Sequence, residues 1–213
     1  MEVPAPHRPV TSFRELLTHL GLITVGVLIA LSFEGIVSWR EHRALVREAR
    51  VNILNEIRDN RASLAARMKA VPEETKNIGA VLDVADLMLQ HKPIEGKLSL
   101  EFRNADLRSA SRATAEVTGA FALMEYDEVK KYASAYLHQE LFVRVQTEGL
   151  QNMTRALASV GLIPDAKMAS VREVEDWKAA LRLAQASLLA VEQIGQGLLK
   201  EYGEVLAGSG AHQ

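Results

Sequence analysis

The chain contains no cysteine. That excludes a disulfide scaffold, a thiolate metal site, a cysteine nucleophile and a lipid anchor on cysteine. It leaves the redox compartment open, because a chain without thiols is safe in either environment. Aromatic residues make up 5% of the 213, with 13 glycines and 6 prolines. Turn residues do not recur as they would in an all-β chain. The sequence has no glycine-rich phosphate loop, no Gly-x-Ser-x-Gly elbow and no His-Glu-x-x-His motif. Net charge is only −2, so no strong field of one sign selects a partner.

What is abundant favours helix. Ala, Leu, Glu, Arg and Gln are frequent, and 48% of the chain is apolar. The length suits one domain plus an anchor. The expected fold class is all-α: an N-terminal transmembrane helix continuing into a long stem helix, then an antiparallel helical bundle. The expected divisions are a tail at 1–19, a span at 20–39, a stem and bundle at 40–207 and a flexible tail at 208–213.

The span is the clearest feature. Residues 20–39 read LGLITVGVLIALSFEGIVSW. At about 1.5 Å per residue they extend roughly 30 Å, the thickness of a bilayer core. Trp39 followed by Arg40, His42 and Arg43 has the composition of an interface anchor. Ala30-Leu31-Ser32 also fits a signal-peptide cleavage site. Against cleavage, the apolar pattern resumes with Phe33, Ile36, Val37 and Trp39. A buried core helix is the third reading, but the run is long and poor in charge for one.

Orientation is less decided. Arg8 and Arg14 precede the span, whereas Arg40, Arg43, Arg47 and Arg50 come after it. The positive-inside rule then favours a cytoplasmic C-terminal domain. A short tail before a span is also the layout of a signal anchor, which exports the domain C-terminal to it. Residues 40–69 carry eight Lys/Arg against four Asp/Glu, and residues 70–213 carry fifteen against twenty. A basic stretch beside a membrane is attracted to anionic lipid. Glu41, Glu48, Glu56 and Asp59 dilute it, which argues against nucleic acid as a partner.

One carboxylate interrupts the span. Glu34 lies five residues before Trp39, about 7–8 Å from that interface along the axis. The plain reading is that it reaches up to water or to Arg40 or Arg43. The sharper one uses spacing: Gly26, Ala30, Glu34 and Ser38 recur every four residues and share a face. Small residues at that spacing allow two helices to approach closely, and a polar group can hydrogen-bond across. These four residues are the candidate packing face for a homodimer or another protein.

After Trp39 no Pro or Gly occurs until Pro72. Leu45, Val46, Ala49, Ile53, Ile57, Leu64, Met68 and Val71 form the stem's stripe. Asn60 falls on that stripe; a buried asparagine there would set register, but it is placed at the edge. Pro72-Glu73-Glu74 is expected to break the stem and start a second helix ending near His91-Lys92-Pro93. Residues 93–104 read as a loop around Gly96. A helix over about 106–124 comes next, then one over about 126–160. Gly161-Leu162-Ile163-Pro164-Asp165 marks a stop and turn. Ser170-Val171-Arg172-Glu173 matches a capping box. The last helix repeats apolar residues by threes and fours from Val174 to Val205, with Gly195 on the seam. Five helices with short turns are thus expected.

Chemistry is sparse. The six histidines, His7, His19, His42, His91, His138 and His212, never fall three or four residues apart. Glu15 and His19 are four apart but border the span. Asp83, Asp86, Glu125, Asp127 and Glu128 read as solvated or capping carboxylates. Tyr126, Tyr132 and Tyr136 read as core anchors. No catalytic set, metal site or cofactor is expected, and the chain is not read as an enzyme. A small-molecule sensor with a ligand between helices is the alternative to a protein-binding bundle.

The stretch TAEVTGAFALMEYDEVKKYASAYLHQELF (Thr114–Phe142), with the opening LITVGVLIALSFEGIVSWREHRALVREAR, resembles a family of uncharacterised bacterial proteins with one N-terminal span and a helical domain. The resemblance covers about a third of the chain. It implies a bacterial inner-membrane location and singles out Gly119 and Met124 without giving them a role.

Overall fold

The computed structural model describes residues 13–94, 99–161 and 169–209. It is all-α: among the described residues there is no strand. The helices are α1 (Phe13–Leu89), α2 (Ala110–Val117), α3 (Tyr126–Gly161) and α4 (Val171–Ser209), with a short 3-10 turn at Ala120–Leu123 before α3. Two compact units divide the chain, Met1–Glu48 and Ala49–Gln213.

In the first unit the described part of α1 is bare. Leu20, Leu22, Ile23, Val25, Val27, Leu28, Ile29, Leu31, Phe33, Ile36, Val37 and Trp39 are all exposed. The best 18-residue window of this apolar helix has a mean hydropathy of 2.2 and is 0% buried. Its hydroxyls are satisfied within the helix. Thr24 donates to the Leu20 carbonyl and Ser32 to that of Leu28.

The second unit is a bundle of three long helices. Arg50 meets Glu128, and Asn60 meets Gln139, so α1 and α3 run parallel. Asn152 meets Ser187, so α4 runs antiparallel to α3. Asp86 meets Lys178, so α4 is antiparallel to α1 as well. Ile78, Val81 and Ala85 of α1, Met153 and Ala156 of α3, and Val174, Trp177, Leu181, Ala184 and Leu188 of α4 form one buried core. The last helix buries the stripe its sequence predicts. Gly195 is needed there because a Cβ would lie 2.5 Å from Met68 Sδ and 3.1 Å from the Phe142 ring.

Three sequence expectations about the elements and their connections change. Pro72 does not break the stem, and α1 continues through it to Leu89. Proline removes a helix bond and costs about 3 kcal/mol. Pro72 is itself exposed, whereas Val71, Glu74, Ile78 and Val81 are buried on both sides of it. Packing of those residues offsets the local loss. The helix ends where expected: His91 adopts φ 52°, and the Lys92 and His91 amides bond the Leu87 and Met88 carbonyls.

The helix expected at 106–124 is cut down to α2. Gly119 adopts φ 76°, a left-handed conformation that ends it. The expectation of short turns also fails at one connection. Parallel α1 and α3 require a return along the bundle, and the described residues 99–125 lie on it. Residues 162–165 of the turn expected at 161–165, Gly96 of the expected loop, residues 1–12 of the tail expected at 1–19 and residues 210–213 of the tail expected at 208–213 lie outside the described residues. Residues 13–19 and 208–209 are helical. At the start of α4 the capping box is present. The Glu173 carboxylate accepts from the Ser170 amide at 2.8 Å, and Ser170 Oγ accepts from the Glu173 amide at 3.3 Å.

Because φ near 50° suits glycine better than histidine, His91→Gly should stabilise the bundle by about 1 kcal/mol in urea unfolding monitored by circular dichroism.

Candidate functional site

The described interior is polar along one seam, and that seam is occupied by the chain's own return segment. Residues 103–108 run between α1 and α3 as a strap that leads into the first turn of α2. Their backbone groups lack helical partners, so side chains supply them. The Arg103 amide donates to Glu74 Oε1 at 3.0 Å. Gln146 takes both sides of Ala105, accepting its amide at 2.7 Å and donating to its carbonyl at 3.1 Å. Asn60 does the same for Arg108, at 2.9 and 2.7 Å. The Ser111 amide donates to Glu56 Oε2 at 2.9 Å. Glu56, Asn60, Glu74, Gln139 and Gln146 are all buried. Each therefore has a structural task.

Asn60 is not at an edge, as its place in the stripe implied. It is 1% exposed. It also donates to Gln139 Oε1, which accepts from Tyr202 Oη at 2.6 Å. Tyr136 donates to Glu56 Oε1 at 2.6 Å, and Tyr132 to Glu128 at 2.9 Å. Burial pushes all three phenols well above the ordinary tyrosine range, so they act as neutral donors. Tyr132 and Tyr136 anchor the core as expected, but Tyr126 is 80% exposed.

A buried ion pair closes the upper seam. Arg67 Nη2 lies 3.0 Å from Glu74 Oε2, with both side chains nearly inaccessible. The guanidinium covers the Phe102 ring at 4.8 Å, while Nε and Nη1 have no hydrogen-bond partner. Burial holds the Glu74 carboxyl above the ordinary carboxylate value. The Arg103 amide and Arg67 pull the other way.

Other ionisable groups pair across helices nearer the surface. Asp86 pairs with Lys178 at 2.6 Å, and Glu128 takes Arg50 in a two-pronged pair at 2.6 and 2.7 Å. His138 pairs with Glu201. Among the described residues no group of three or more His, Cys, Asp or Glu could hold a metal ion. The Glu15 side chain lies outside the described residues. A surface recess of about 450 Å³ is lined by Asp127, Lys130, Lys131, Ser134, Glu201, Glu204 and Val205. Its lining carries charges of both signs.

The face named from spacing lies on the bare part of α1. Gly26, Ala30 and Glu34 are exposed and Ser38 is half-exposed. A Cβ at Gly26 would meet nothing within 4 Å. Glu34 has no hydrogen bond or ion pair among the described residues, unlike the hydroxyls of Thr24 and Ser32. Beyond this face, Arg43 stacks on the Trp39 ring at 4.8 Å. Within the first unit, then, nothing covers the face.

Removing one member of the buried pair leaves the other charge without a partner. Arg67→Met should cost about 4 kcal/mol, and adding Glu74→Gln should recover roughly half. The pH sign comes from Glu74. A folded-state carboxyl held above 4.5 contributes stability at low pH and loses it as pH rises through the raised value. Without Arg67 the upward shift grows, so Arg67→Met should lose stability more steeply than wild type as pH rises above 4.5 in urea titrations.

No family model, curated protein or solved structure matches this chain.

Proposed function

We propose that this chain is a single-pass protein of the bacterial inner membrane that holds a helical bundle at the membrane for association with a second copy or another protein. The observation that supports it is the bare segment of α1. A mean hydropathy of 2.2 with 0% burial is unfavourable in water, because each exposed Leu, Ile or Phe forgoes about 2 kcal/mol of burial. A bilayer removes that cost. A soluble core helix would be covered, and this one is not.

Trp39 with Arg43 stacked on it marks the interfacial end. The four arginines after the span favour a cytoplasmic bundle. The bacterial location rests on the resemblance of the opening and Thr114–Phe142 stretches. Lipid is thus one partner and protein the other. The bundle has no catalytic role in this proposal, and nucleic acid is not a partner. A ligand-sensing bundle has weaker support, since Asn60, Glu74, Gln139 and Gln146 of the described interior are engaged by the strap.

Two experiments test this. A reporter fused at the C-terminus should report cytoplasmic exposure, and the mature protein should retain residues 1–39 by mass. Loss of those residues would establish the cleaved-signal alternative. For association, Gly26→Leu should weaken self-association of the chain in bilayers by about tenfold, since close helix approach needs a small residue there. Unchanged association would eliminate the Gly26, Ala30, Glu34, Ser38 face.

A further inference from the structure

At the end of the bundle that carries the Arg50–Glu128 pair, the chain exposes an apolar knob. The run VTGAFALMEY, 117–126, holds one charged residue in ten. Val117 is 88% exposed, Leu123 42% and Tyr126 80%. Phe121 and Met124 are half-buried beside them, and Ala120 is fully buried. The knob owes its shape to Gly119, whose φ of 76° ends α2 and turns directly into the 3-10 turn. Ala115 and Ala120, both buried, hold its base against the bundle. A soluble bundle gains nothing by presenting a valine and a tyrosine this openly.

Chain length says what covers it. Eleven residues join Trp39 to Arg50, a stretch that reaches at most about 40 Å even when fully extended. Arg50 bonds Glu128 in the first turn of α3, two residues after Tyr126. The knob is therefore on a short chain tether from Trp39, the residue whose composition marks a membrane interface. Tyrosine beside small aliphatic residues is the composition that partitions into the headgroup boundary. Glu116, Glu125 and Asp127 surround the knob, so charge does not drive the contact.

We propose that Val117, Phe121, Leu123 and Tyr126 form a second membrane contact, a shallow apolar foot that rests in the headgroup region of the same bilayer. This inference rests on α1 spanning the membrane. It predicts contact with zwitterionic lipid as well as anionic lipid.

The cysteine-free chain allows one nitroxide label per variant. Leu28→Cys, Val117→Cys, Leu123→Cys and Gln90→Cys would each be labelled in the full chain, reconstituted in phosphatidylcholine vesicles. Collision rates with oxygen and with a water-soluble nickel chelate report depth. Expected are oxygen-dominated collisions at 28, clear nickel protection at 117 and 123, and full nickel access at 90, at the other end of the bundle. Oxygen domination at 28 with full nickel access at 117 and 123 would overturn the foot and leave the span intact. Full nickel access at 28 would overturn the span, and the foot with it.

Discussion

Arg108 has an amide and a carbonyl with no helix to bond them, and Asn60 bonds both at once. Around that exchange the second unit is assembled. Asn60 belongs to α1, Arg108 to the strap, Gln139 to α3 and Tyr202 to α4, and all four meet in one hydrogen-bonded set. A side-chain amide has the same donor and acceptor pair as a peptide, so it can complete an isolated backbone unit as a neighbouring strand would. Gln146 repeats the device at Ala105. These contacts let a non-helical segment lie along the groove between α1 and α3 with its inward-facing backbone groups at Ala105 and Arg108 bonded.

The strap is what makes the topology possible. Parallel α1 and α3 cannot be joined by a tight turn, so the chain must travel back along the bundle between them. An irregular return over the surface would need no buried partners. This one runs along a seam between α1 and α3, and its partners must come from those helices. Hence glutamate, asparagine and glutamine occupy helix positions where an ordinary three-helix core would carry leucine. Breaking the Asn60 pairings would orphan the Arg108 amide and carbonyl together. Each such loss costs on the order of 1–3 kcal/mol in a buried setting.

The local features of the fold are legible in the sequence and the long-range ones are not. The capping box at Ser170 and Glu173 involves four consecutive residues, and spacing alone reveals it. The repeat from Val174 to Val205 and the close approach at Gly195 come from a single helix's periodicity. Periodicity misplaces Asn60 because its partner Arg108 is 48 residues away, on a segment whose own sequence reads as loop. Pro72 reads as a break because propensity is local, whereas the burial of Val71, Glu74 and Ile78 that overrides it is tertiary. Gly119 reads as helical for the opposite reason: nothing in a window around it shows that the chain must turn left-handed there. Of the candidate face, the spacing and the polar misfit of Glu34 are legible. What meets that face is not, since its occupant is not part of one chain's described contacts.

The strap also constrains where activity can reside. Five buried polar side chains, Glu56, Asn60, Glu74, Gln139 and Gln146, all act on the strap or on the groups that hold it. A ligand entering the seam would have to displace the strap and then replace its peptide groups one for one. The competing gain is small, because the segment it displaces is already tethered at both ends and loses little entropy by staying. The buried Arg67–Glu74 pair raises that barrier further, since moving Phe102 and Arg103 would uncover one charge and strip a bond from the other. Exposed features carry no such penalty. The bare apolar length of α1 and the apolar knob at 117–126 are the surfaces whose burial releases free energy without dismantling anything. The proposed association with lipid and with other helices draws on these two surfaces and leaves the strap intact.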